Sequence, residues 1–183
     1  MKIFLCPSDQ ERVVKNGYSP TSYVMNNGST ADSSIRSNGV FHVNSKTKLT
    51  DIIDGTSSTV MVSESTIGVG GEPFTTSPGN AKVVHIELLF RPVSTSLCNN
   101  AAGLYGTQKS YSWADGSTAS GGYNHVLAPN SPQYDCYSAF SPNPGWRAAR
   151  SYHSSGVNIV LCDGSVRSVS NSISLDVWRA LGS

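Results

Sequence analysis

The chain has 183 residues, a formal net charge of +1, 14% charged residues and 38% hydrophobic ones. That length suffices for one domain with an adequate core. The basic residues are scattered, which argues against nucleic acid or anionic lipid as partners, because both call for a concentrated positive field.

Strands and turns dominate in chain order. Tyr23-Val24-Met25 reads as a short strand closed by Asn26-Asn27-Gly28, and Asn38-Gly39 as a turn before a strand over residues 40–43. Thr50 can cap a single helical turn that Gly55 stops in a left-handed conformation, and residues 59–62 follow as a β-branched strand. Residues 65–81, rich in Gly, Thr, Ser and Pro, read as a loop and residues 83–90 as a strand. That most apolar run contains His85 and Glu87 and is far too short to span a bilayer. From about 94 to 147 turn formers prevail, which predicts an elaborated functional loop or an irregular layer held by a staple. Val157, Ile159 and Leu161 then alternate on one strand, Asp163-Gly164 supplies a hairpin turn, and residues 165–170 return. Ser174 can cap a helix over 175–181 whose Leu175, Trp178 and Leu181 share a face. The expectation is one α+β domain over residues 1–183, predominantly antiparallel β, with a loop-rich insertion at about 94–147 and a C-terminal hairpin and helix at 156–181.

Cys6, Cys98, Cys136 and Cys162 form no CxxC pair and no zinc-like spacing. Cys98 and Cys136 both lie in polar, turn-rich sequence, which suits a disulfide closing a long loop. Cys162 sits in an apolar strand and suits a buried free thiol. Three pairings of four cysteines stay open.

Several segments form an ordered series. They are Cys6-Pro7-Ser8-Asp9, Ser22-Tyr23-Val24 with Asn27-Gly28, Asn38-Gly39-Val40-Phe41, Asp51-Ile52-Ile53-Asp54-Gly55-Thr56-Ser57 and residues 123–132. His153 follows, separated by nine residues from Asp163-Gly164-Ser165-Val166-Arg167, and then the tail Trp178-Arg179-Ala180-Leu181. This order, running from residue 6 to residue 181, resembles a large pilin-like family expanded in planctomycetes, with its C-terminal His-x9-Asp-Gly signature. The resemblance implies a pseudopilin-like globular head of the type II secretion kind, with an antiparallel sheet, long irregular loops and a short C-terminal helix. It also implies a long apolar N-terminal helix in front of the head, which these 183 residues do not contain, so the chain as given carries neither membrane insertion nor an export signal. An extracytoplasmic location, in the periplasm or at the cell surface, and partnership with other pilin-like subunits or secretion machinery follow from the same resemblance. Major pseudopilins carry calcium in a C-terminal loop. Asp115, Asn130 and Asp135 lie in the corresponding kind of loop and offer the hard oxygen donors that calcium takes.

Catalytic candidates are few. His153 and Asp163 can meet if the segment before Val157 folds back along the hairpin, giving a carboxylate that orients an imidazole. The plainer reading is that Asp163 serves turn geometry and His153 bonds backbone at the sheet edge. His125, ahead of Pro129-Asn130-Ser131-Pro132, is either a base or a half-buried residue fixing a loop. Three functions are therefore expected in turn: a structural or interaction head stabilised by calcium or a disulfide; a calcium-dependent hydrolase of small esters or lactones, such as acyl-homoserine lactones, using His153 or His125; and a glycan-binding surface built on Tyr111, Trp113 and Tyr123.

Overall fold

The computed structural model describes residues 2–10, 18–31, 37–88, 93–99, 105–138 and 144–183. The elements run β1 (Tyr23–Asn26), β2 (Val60–Glu64), β3 (Phe74–Thr75), β4 (His85–Leu88), α1 (Thr95–Asn99), β5 (Tyr105–Gly106) and β6 (Gly122–Tyr123). Then come β7 (Asp135–Ser138), β8 (Gly145–Trp146), β9 (Gly156–Leu161), β10 (Val166–Ser170) and α2 (Leu175–Ala180). They form two five-stranded sheets, ordered β10-β9-β2-β1-β6 and β3-β5-β4-β7-β8. All pairings are antiparallel except β1 with β6 and β4 with β7. The fold class is thus α+β and mainly antiparallel β.

The first sheet follows from its alternation. Val157, Ile159 and Leu161 on β9 point inward and meet Val24, Val60 and Val169 from the neighbouring strands. Each such buried aliphatic side chain contributes about 1.5–3 kcal/mol. The β9–β10 turn closes with Gly164 at φ +85°, where a side chain would be strained. Asp163 Oδ1 accepts bonds from both the backbone N–H and the hydroxyl of Ser165, which fixes that turn. Helix α2 closes the core with Trp178, which is fully buried. Ser174 stands at its N-cap position, but its hydroxyl makes no capping bond. Tertiary docking holds the helix instead: Trp178 Nε1 donates to Leu127 O at 2.9 Å, and Val60 N donates to Leu181 O at 2.8 Å.

Two expectations are corrected. Residues 40–43 form no strand; Phe41 N donates to Asn26 O, and the chain then turns at Asn44, whose φ is +61°. The stretch 94–147 is not an irregular insertion. It supplies α1 and β5 to β8, including three strands of the second sheet. Those strands are only two to four residues long, and the longest turns Asp135 inward, so they carry no apolar alternation to read.

The second sheet has a small apolar core of its own, built from Ile86, Cys98 and Cys136 and flanked by Leu88, Val93, Tyr105, Tyr134 and Trp146. Cys98 and Cys136 are joined in a disulfide that ties α1 to β7 across 38 residues of sequence. A loop of that size restricts the unfolded chain enough that Cys98→Ser/Cys136→Ser lowers stability by about 2–4 kcal/mol. A urea midpoint that matches the unmodified chain would contradict this.

Candidate functional site

Among the described residues, a network of buried polar groups links the second sheet to the first. Asp135 on β7 is fully buried and sits between two buried cations, with Lys109 Nζ at 2.5 Å from Oδ2 and Arg150 Nη2 at 2.8 Å from Oδ1. Its Oδ1 also accepts the backbone N–H of Ala148 at 2.9 Å. Arg150 extends the network to the Ser131 and Gln133 carbonyls, each at 2.6 Å, and its own N–H donates to Glu64 O on β2. Arg147, equally buried, donates to Thr118 O, Ser65 Oγ and Ser110 Oγ. Burial by itself raises the Asp135 pKa, but Arg150 and then Lys109 outweigh it and hold the carboxyl well below the usual range. Burial pulls Lys109 down to about 7 against the attraction of Asp135.

His125 lies under α2. Its ring stacks on Trp178 with centroids 3.9 Å apart, its Nδ1 meets Trp178 O at 2.6 Å, and its Nε2 meets the Tyr123 hydroxyl at 2.9 Å. Gly182 packs so closely that a Cβ there would come within 2.5 Å of the ring. Burial lowers the His125 pKa to about 4, so the ring is neutral at pH 7. Both nitrogens are engaged, and the residue fastens the tail of the chain.

Acid lability follows with a definite sign. His125 has a folded pKa below its unfolded value of about 6.5, so the unfolded chain binds the extra proton and stability falls as pH drops from about 6.5 to about 4. The loss is on the order of 3 kcal/mol. His85, stacked on Tyr137 and lowered by burial, acts in the same direction, and Asp135 adds its own loss below about pH 4. Urea midpoints measured against pH should decline across this window, with a shallower slope in His125→Gln; a flat profile would contradict the assignment.

The third cluster brings together groups far apart in sequence. Glu64 ends β2 and is almost fully buried; its Oε2 accepts the Asn158 N–H at 2.7 Å and its Oε1 the Asn158 Nδ2 at 3.2 Å. His153 Nε2 lies 3.1 Å from Glu64 Oε1. The Cys6 thiol approaches both, with Sγ 3.8 Å from Glu64 Oε1 and 3.9 Å from His153 Nε2. A thiol–imidazole–carboxylate relay uses opposite ring nitrogens for its two partners. Here carboxylate and thiol share one nitrogen, so the three groups converge on a point.

The expected site residues are thus redistributed. His153 does not meet Asp163: it pairs with Glu64, while Asp163 is exposed in the hairpin turn. The full length of β9 separates them, about 20 Å at the rise of a strand. Asp115, Asn130 and Asp135 are not gathered into one ligand set. Asp115 bonds Tyr111 and Ser117 in its own turn. Asn130 bonds Ser151, Gly156 and Asn171. Asp135 is already neutralised by two fixed cations, which would repel a calcium ion. Of the three aromatic residues, Tyr123 is buried in the core, Trp113 stacks on Phe4 with centroids 5.4 Å apart, and Tyr111 donates to Asp115. Cys6 and Glu64 escaped sequence reasoning because neither has a neighbour in the chain with complementary chemistry. The one signal was their place at the ends of apolar segments, Cys6 after Ile3-Phe4-Leu5 and Glu64 after Val60-Met61-Val62.

Segments of the ordered series also fasten to each other. Gly28, at φ +104°, lies so close to Gly39 that a Cβ on Gly39 would come within 2.1 Å of the Gly28 nitrogen. Asp163 N donates to Thr56 O, joining the hairpin to the turn at Gly55, and Asp9 Oδ2 accepts from Ser22 Oγ and Ile67 N.

Fold and site together define a two-sheet, mainly antiparallel α+β domain stapled by a disulfide and a buried ionic core. The chain belongs to the family described as "Protein of unknown function (DUF1559)", whose pattern matches residues 1–176. No curated protein and no solved structure matches it.

Proposed function

We propose that this chain is the globular head of a pilin-like protein, akin to the pseudopilins of type II secretion, which acts outside the cytoplasm by assembling with other subunits or with secretion machinery. The observation that carries this reading is the use of the signature residues as internal fastenings. Cys6 meets His153, Gly28 meets Gly39, Asp163 meets Thr56, and His125 meets Trp178. Groups engaged in this way hold a shape, and a shape is what an assembling head must present. Family membership and the His153…Asp163-Gly164 spacing support the same reading. The Cys98–Cys136 bridge supports an oxidising, extracytoplasmic setting.

The experiment is cell fractionation with a head-specific antibody in the native host, with cross-linking before lysis. The reading expects the protein in the envelope or sheared-appendage fraction, cross-linked to like subunits. A monomeric cytoplasmic pool would overturn it.

A further inference from the structure

The geometry points to Cys6, Glu64 and His153 as a binding site for one zinc-like divalent cation, with water completing the fourth position. Zinc is borderline-soft and takes thiolate, imidazole and carboxylate ligands together at about 2.0–2.3 Å. Tetrahedral bonds of that length place ligand atoms about 3.3–3.6 Å apart. The observed separations of 3.1, 3.8 and 3.9 Å bracket this, so shifts of a few tenths of an ångström would close the site.

Charge favours the same occupant. Among the described residues, the ionic partner of the buried Glu64 carboxylate is His153, whose side chain is 36% exposed. A dication with one thiolate, one carboxylate and a neutral imidazole makes a neutral group, which suits so buried a place. On binding, the Cys6 thiol loses the proton it now donates to Glu64, and that proton leaves to solvent. The imidazole takes the tautomer with its hydrogen on Nδ1, freeing Nε2 for the metal. The two bonds from Asn158 to Glu64 hold the carboxylate in place, as outer partners of metal ligands do. Solvent reaches two of the three groups: the His153 side chain is part exposed, and Cys6 lines a cleft of about 260 Å³ with Leu5, Pro7, Asp9 and Ile67. The bound ion would clamp the segment around Cys6 to the ends of β2 and β9.

The test strips the purified chain with a chelator under argon and titrates it with Co²⁺ alone, then with Zn²⁺. One equivalent of Co²⁺ should give a near-ultraviolet sulfur-to-cobalt charge-transfer band that Zn²⁺ displaces. Zn²⁺ at about a hundredfold excess over its Kd should raise Tm by roughly 5–10 °C, and Ca²⁺ should not. Cys6→Ser should abolish the band, and Cys162→Ser, which removes the other free thiol, should leave it intact. Glu64→Gln and His153→Asn should each weaken binding about a hundredfold or more. Because Cys6 and Glu64 are packed, the half-exposed His153 variant and the near-ultraviolet circular dichroism of each variant separate lost binding from lost fold. Absence of the band at saturating Co²⁺, its survival in Cys6→Ser, or Zn²⁺ affinity unchanged in His153→Asn would overturn the site.

Discussion

Asp135→Asn should lower the free energy of unfolding by about 3–5 kcal/mol, the range seen when one partner is removed from a buried ion pair. For a chain of this size that moves Tm down by roughly 6–20 °C. The substitution keeps the shape of the side chain and removes its charge. Lys109 and Arg150, both without solvent exposure, then face each other uncompensated, with Arg147 close behind. Lys109 can relieve part of the strain by shedding its proton, since burial already holds its pKa near 7. That keeps the loss nearer the lower end above neutral pH. Lys109→Met supplies the contrast: Asp135 keeps Arg150 and the Ala148 N–H, so the loss should be clearly smaller. Urea unfolding of the two variants measures the difference, and an Asp135→Asn chain within about 1 kcal/mol of the parent would refute a central role for this carboxylate.

Trp178→Ala should cost a comparable 3–5 kcal/mol. The indole is fully buried, stacks on His125 and donates to the Leu127 carbonyl. Its removal leaves a cavity under α2, an orphaned carbonyl and an imidazole without its stacking partner. Trp178→Phe restores much of the volume and the stack but not the Nε1 bond, so it should recover more than half of the loss. Equal losses in the two variants would mean that the hydrogen bond, and not packing, holds the tail down.

What the sequence revealed, and what it concealed, follows from the kind of interaction involved. The β9–β10 hairpin and α2 were legible because Val157, Ile159 and Leu161 alternate and Asp163-Gly164 has a turn chemistry of its own. In the second sheet only β4 was legible, inside the apolar run at 83–90; its other strands are short and its inward residues include Asp135, with Lys109, Arg147 and Arg150 around it. Inward charges read as surface until their partners are known, and here those partners come from separate segments. His153 was recognisable as a residue of interest, yet its carboxylate is Glu64, 89 residues away in sequence, and not the nearer Asp163. Cys6 joins it from a separation of 147 residues. Pairings at such range are set by topology, which local pattern does not encode.

The proposal that this chain is an assembling pilin-like head is tested most directly by the N-terminal peptide and intact mass of the mature protein isolated from native cells. The account predicts that an apolar helical segment of about 20 residues or more precedes the head in the same polypeptide. A mature protein that begins at Met1 and is recovered free in the cytoplasm would contradict it.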